Sequence, residues 1–199
     1  KLTSIKYQVD FPGTGDPYHT LEGGNRRSYY AINSVPRMEI DGGWDQNGNS
    51  ITQQVLNEHI NVISFLNLSA NYSINIKTID VDVIIDPLED IQSNNLVLHT
   101  AIIEETTYNN IKTNGETQFE HVVKKMLPND NGTSISSLIG GQQTTLNLSY
   151  TFNGNYRLPA NANTPINNLI EHSVEDFTNL MVVVWVQDII TKEVHQSTY

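Results

Sequence analysis

Six histidines, His19, His59, His99, His121, His172 and His195, and adjacent acid pairs such as Glu104-Glu105 and Glu175-Asp176, are the side chains best suited to move protons or hold a metal. Their spacing argues against both. No two histidines stand at the short interval that puts two imidazoles on one helix face, so no zinc set is expected. Neighbouring acids on a strand point to opposite faces, which makes solvated charges of both pairs rather than acid/base couples. Asp45 to Ser50, DQNGNS, begins like a calcium loop. It has Ser50 where the turn glycine belongs and Leu56 where a bidentate glutamate belongs, and reads as a turn. No nucleophile elbow, phosphate loop or dinucleotide fingerprint occurs. Cysteine is absent, so these residues hold no thiolate and redox catalysis by them alone is excluded. No catalytic residue, metal ligand or cofactor is expected.

Acidic residues outnumber basic ones 22 to 11, and the net charge of -11 opposes a phosphate backbone or an anionic lipid surface. The longest apolar run, LMVVVWV from Leu180 to Val186, falls short of the roughly 20 residues of a membrane-spanning helix. The chain opens on Lys-Leu-Thr-Ser without an initiator methionine or a signal peptide, which reads as a mature, excised or processed form. Abundant Asn, Thr, Ser and Gln with little Lys matches exported bacterial β-rich proteins, and export to the cell surface, the outer membrane or the medium is the expected localisation.

The elements that would carry these residues change period along the chain. Ile5, Tyr7, Val9 and Phe11 alternate with polar residues, which predicts a strand that stops at Pro12-Gly13. Gly23 and Gly24 confine any following helix to Arg26–Ala31, with Asn25 as its cap. The run RMEI after Pro36 reads as a strand and Asp41-Gly42 as a turn with positive φ. Ser50 then caps a helix over 51–68, its stripe formed by Ile51, Val55, Leu56, Ile60, Val62, Ile63 and Leu66. From Asn71 the period falls to two, and seven strands follow, the last four being TQFEHVVKKML, TTLNLSYTF, NLMVVVWVQD and KEVHQSTY. Turn signals at Asn114-Gly115, Asn131-Gly132, Gly140-Gly141 and Asn153-Gly154 separate them, and a long link with Pro159 and Pro165 runs to Glu175. Seven antiparallel strands without helices between them predict an immunoglobulin-like sandwich able to fold when cut near Ala70, with Trp185 as a core aromatic.

The stretch IKYQVDFPGTGDPYHTLEGGNRRSYYAINSVPRMEIDGG resembles the thioredoxin-like front half of exported Bacteroidetes proteins akin to the outer-membrane lipoprotein family of about 28 kDa, through its YY-I-VP segment and IDGG turn. LHTAIIEE, NGETQFEHVVKKMLP and VVVWVQDIITKEVHQS are similar to the β-sandwich of the same proteins. The resemblance implies an α+β chain, with a partial thioredoxin-like α/β unit over 1–68 and an immunoglobulin-like antiparallel sandwich over 69–199. It implies a cis Val35-Pro36 bond, although the tripeptide by itself reads as a helix stop before an edge strand. It points to Tyr29, Tyr30, Val35, Pro36 and Arg37 as ligand-facing, the tyrosines fitting a core role as well. Family members with an active site carry a Cys-Xaa-Xaa-Cys that is missing here. A non-catalytic binding or structural module is therefore expected. The alternatives are the substrate-holding part of a thiol-disulfide oxidoreductase, completed by an upstream fragment or a second copy, and a glycan-binding or adhesive sandwich.

Overall fold

The computed structural model describes residues 3–112, 115–135, 137–157 and 164–199. The fold is mostly β, with several antiparallel sheets. The front part supplies helix α1 (Leu21–Tyr29), the hairpin strands β1 (Met38–Ile40) and β2 (Trp44–Gln46), and helix α2 (Gln53–Ile60). The long strands follow: β3 (Leu66–Asn75), β4 (Thr78–Pro87), β5 (Leu96–Thr107) and β6 (Phe119–Leu127). After them come β7 (Thr133–Ser134), β8 (Thr144–Thr151), β9 (Asn155–Tyr156), β10 (Glu171–His172), β11 (Leu180–Asp188) and β12 (Val194–Thr198). All seven strands expected after Asn71 are present, as β3, β4, β5, β6, β8, β11 and β12. Asn114 and Pro159 lie outside the described residues.

Two sheets make the sandwich, one ordered β12-β11-β5-β6 with β7 beside β5, the other ordered β3-β4-β8. Period-two alternation turns Val81, Val83 and Ile85 of β4 toward Leu98, Ile102, Val182 and Val184 of the larger sheet, and these form the main core. β11 is apolar at nearly every position because its other face is covered too: Val183 and Trp185 pack with Ala101, Ile103, Val123 and Met126 beneath Ile5 and Tyr7. Trp185 is buried as expected, but under the N-terminal segment rather than between the sheets.

Four local expectations are corrected. Ile5 to Phe11 keeps its alternation but forms only one bridge, Lys6 beside Val122 in parallel, instead of a full strand. The Lys6 N–H reaches the His121 carbonyl at 2.8 Å. Helix α1 begins five residues earlier than expected, because the Thr20 side chain caps it by accepting from the Gly23 N–H at 3.0 Å. Both glycines are tolerated inside it, and a Cβ at Gly23 would come within 3.2 Å of the Gln8 carbonyl. Helix α2 is capped by Thr52 and ends at Asn61, whose side-chain amide folds back onto the Asn57 carbonyl at 2.7 Å. The apolar stripe that seemed to continue it is divided: Val62 and Ile63 are exposed in a linker, while Leu66 opens β3 and enters the core.

Candidate functional site

The five residues singled out from the sequence sit on one continuous segment, and the structure separates them into two groups. Tyr29 and Tyr30 close the last turn of α1 and are half-buried, whereas Val35, Pro36 and Arg37 are exposed where the chain enters β1. The Val35-Pro36 bond is cis, as are Phe11-Pro12 and Leu127-Pro128.

Beneath the tyrosines lies a residue the sequence reading missed. Glu22 and Arg26 are one turn apart on the buried face of α1. Glu22 pairs with Lys125 and accepts from the Met126 N–H at 2.8 Å, which fixes the helix to β6. Arg26 is 4 % exposed. Its guanidinium donates to the Gln187 side-chain carbonyl at 2.9 Å and to the Tyr30 hydroxyl at 2.9 Å, and its Nη1 lies 3.3 Å from His99 Nε2. It also faces the rings of Tyr29 at 4.7 Å and Tyr30 at 4.9 Å. No carboxylate pairs with it among the described residues, so its charge is held by neutral acceptors and π faces. His99 stacks on Trp185 at 5.0 Å. Burial, and then the Arg26 charge, push its pKa down to about 3. The imidazole is therefore neutral and accepts from Arg26, which makes it a packing and orienting group rather than a proton shuttle.

The hub fixes the exposed edge in two further ways. Gln187 donates both to the Tyr30 hydroxyl at 2.9 Å and to the Lys192 carbonyl at 2.7 Å, while the Tyr29 hydroxyl donates to the Ile189 carbonyl at 3.0 Å. The Asp41-Gly42 turn, with φ of 50° and 74°, backs onto the same loop. A Cβ at Gly42 would stand 1.7 Å from the Lys192 carbonyl oxygen, so only glycine lets the hairpin sit there. On the hairpin Arg37 pairs with Asp45, which itself sits opposite Glu39. Burial and the neighbouring Asp45 raise the Glu39 carboxyl to about 7, and the Arg37 hydrogen bond lowers Asp45.

Glu104, expected as a solvated charge, is instead sealed in the interior. Glu104 and Lys124 form an ion pair at 3.1 Å with both side chains wholly buried. Lys124 is the extra residue of a β-bulge, where the β5–β6 register shifts at Ile102/Ile103. Its ammonium also donates to the Ser173 carbonyl at 2.8 Å and lies 4.4 Å from the Tyr18 ring. Glu104 accepts the Glu175 N–H at 3.0 Å and the Asp176 N–H at 2.7 Å. Glu175 in turn accepts the Tyr108 N–H at 2.8 Å and the Asn109 N–H at 2.7 Å, and Tyr18 bonds both Glu175 and Tyr156. Burial outweighs mutual attraction in the ion pair, raising Glu104 above the usual carboxylate range and lowering Lys124 to about 8. This network clamps the loop after β10 to the sheet, and the Glu104–Lys124 pair at its centre is closed to solvent. A wide polar depression of about 410 Å³ lies elsewhere, lined by Ser4, Lys6, Glu116, Gln118, Glu120 and His121.

No family model and no curated protein matches the chain. Among solved structures, HBP35 of Porphyromonas gingivalis superposes with a TM-score of 0.60 and 10% identity over 88% of this chain and 56% of its own. The chain thus spans a little over half the length of that protein, and the likeness is one of fold. A domain of the outer membrane lipoprotein Omp28 from the same organism aligns with a TM-score of 0.40 and 16% identity over 69% of this chain and 87% of the domain. No helix among the described residues is long and apolar enough to cross a membrane.

Proposed function

We propose that the chain is a non-catalytic binding or structural module of an exported bacterial protein, displayed at the outer membrane or outside the cell. Its contact surface is the exposed Val35-Pro36-Arg37 edge and its partner another exported or surface protein. The observation that carries this reading is the division of labour among polar groups. Glu104, Lys124 and His99 are sealed in the interior, while the Val35-Pro36-Arg37 edge is exposed. In this reading residues 1–68 are a thioredoxin-like unit reduced to recognition and 69–199 an immunoglobulin-like scaffold, a division supported by the sequence resemblance.

The test is binding of the whole chain to outer-membrane vesicles from a Bacteroidetes species. Saturable binding that Val35→Asp and Arg37→Glu each weaken, with the circular dichroism unchanged, supports the proposal. Binding indifferent to both removes this edge as the contact surface. A second reading, the substrate-holding part of an oxidoreductase, is favoured by one feature: among the described residues β1 has a strand partner, β2, on one side only. That leaves an edge for an upstream fragment or a second copy. Thiol-disulfide exchange by the complete gene product, lost on Pro36→Ala, would favour it over the first.

A further inference from the structure

The three-stranded sheet ends in β8, whose outer edge pairs with no strand among the described residues. The Phe152 N–H donates to the Lys77 carbonyl at 2.9 Å just beyond the β4–β8 ladder, in which Thr151 stands opposite Thr78. Since bonded residues alternate in an antiparallel pair, Leu146, Leu148 and Tyr150 bond to β4, and Thr145, Asn147, Ser149 and Thr151 turn their N–H and C=O groups outward. No backbone partner meets those four groups among the described residues. The other edges of the two sandwich sheets are blunted: Lys6 pairs on β6, Gln196 donates to the Leu66 carbonyl of β3 at 3.2 Å, and β12 is only five residues long.

Natural sheet edges are protected by lysine, proline, bulges or inward charges. β8, TTLNLSYT, has none of these and pairs with β4 without a register shift. It carries no charge in a chain of net charge -11. Its apolar side chains Leu146, Leu148 and Tyr150 line the open end of the core and are only partly buried.

We infer that β8 is the dimerisation edge of the protein, pairing antiparallel with β8 of a second copy about a two-fold axis at Leu148. The strand is complementary to itself in that register. On the outer face Thr145 meets Thr151 and Asn147 meets Ser149 of the other copy. On the inner face Leu146 meets Tyr150 and Leu148 meets Leu148, so both cores close over their open ends. The four outward residues of each strand exchange about eight hydrogen bonds, and the two small sheets become one of six strands. The acids nearest the seam, Asp80 and Asp82, are hydrogen-bonded by Ser149 at 2.6 Å and Asn147 at 2.5 Å. Three strand spacings, about 14 Å, part them from their counterparts across the seam, beyond the ~8 Å screening length. A self-pairing edge closes after two copies, whereas pairing β8 to a different edge would grow a filament. The inference is independent of the Val35–Arg37 edge.

The test uses sedimentation velocity and cysteine cross-linking on the whole chain. The wild type should sediment at twice the monomer mass, and Asn147→Lys with Ser149→Lys should return it to monomer with unchanged circular dichroism. Because the chain has no native cysteine, Leu148→Cys should oxidise to a covalent dimer, its two Cα atoms lying about 4.5 Å apart across a non-bonded pair. Thr145→Cys, which faces Thr151 and not itself, should stay monomeric on a non-reducing gel. A wild type that remains monomeric at millimolar concentration would overturn the inference. So would a dimer indifferent to the two lysines, a larger open polymer, or Thr145→Cys linking as fast as Leu148→Cys.

Discussion

Two layers press on the long strands of the larger sheet, and they are built from different materials. On the inner face the small sheet meets Leu98, Ile102, Val182 and Val184 with Val81, Val83 and Ile85, an interface made mainly of hydrocarbon. On the outer face the segment through α1 meets Val183 and Trp185 with Ile5 and Tyr7, then adds buried Glu22, Arg26, His99 and Lys125. The first layer is non-directional and tolerant of repacking. The second works only if each polar group finds its particular partner, since a buried group left unpaired costs more than its bond contributed. An oriented, polar interface of that kind suits a surface edge that must be held in one geometry.

The largest expected effect tests whether the outer layer is part of the fold or an appendage. Residues 69–199 expressed alone lose Leu66 from the core, and Ile5, Tyr7 and Arg26 from the cluster around Trp185. They should bind a hydrophobic dye and unfold without cooperativity in urea, although the strand pattern by itself suggests a self-sufficient sandwich. A sharp transition near the full chain's midpoint would show that the inner interface suffices. Next comes Glu104→Ala, which leaves the Lys124 charge alone in the interior and should cost about 3–5 kcal/mol in chemical denaturation. Replacing both partners, Glu104→Leu with Lys124→Met, should recover most of that loss.

A pair of substitutions sets the two layers side by side. Leu98→Ala in the inner interface should cost about 2–5 kcal/mol through the cavity it leaves. Arg26→Ala in the outer one should cost about 1–3 kcal/mol through the acceptors it strands. Arg26→Met, which keeps volume without charge, distinguishes packing from hydrogen bonding: full recovery would mean that the polar contacts of the hub contribute nothing net. The loss for Arg26→Ala should also shrink in a Gln187→Ala background, a coupling absent between Leu98 and Gln187.

The smallest effect concerns the exposed hairpin. Glu39 has its folded pKa raised from 4.5 to about 7. Between those values the native state binds more protons than the unfolded chain, so this group's contribution falls as the pH rises from 4.5 through 7. Asp45, lowered by Arg37, acts in the opposite sense, its contribution being lost as the pH falls below the ordinary carboxylate value. Glu39→Gln should therefore raise the Tm slightly at pH 8 and leave it unchanged at pH 4. A carbon-detected NMR titration of Glu39 with a midpoint near that of a free carboxylate would remove this effect.

What the sequence alone determined is whatever depends on near neighbours in the chain. Period-two alternation marks β3, β4 and β8, because a half-buried strand needs only its own residues to choose a face. Asp41-Gly42 announces its positive φ because the strain of that conformation is local. The apolar run of β11 announces burial on both faces, though not what buries them. Tertiary structure decided the rest, through contacts between residues far apart in the chain. Gly23 and Gly24 sit inside α1 because Glu22 and Arg26 are anchored on β5, β6 and β11 more than seventy positions away. The helical stripe beyond Ile60 gave way because Leu66 gains more from the sandwich core than from an isolated helix face. Arg26 carried no signal of burial, since charged side chains belong at the surface unless partners await them. Two of its partners, His99 and Gln187, are brought to it by folding alone.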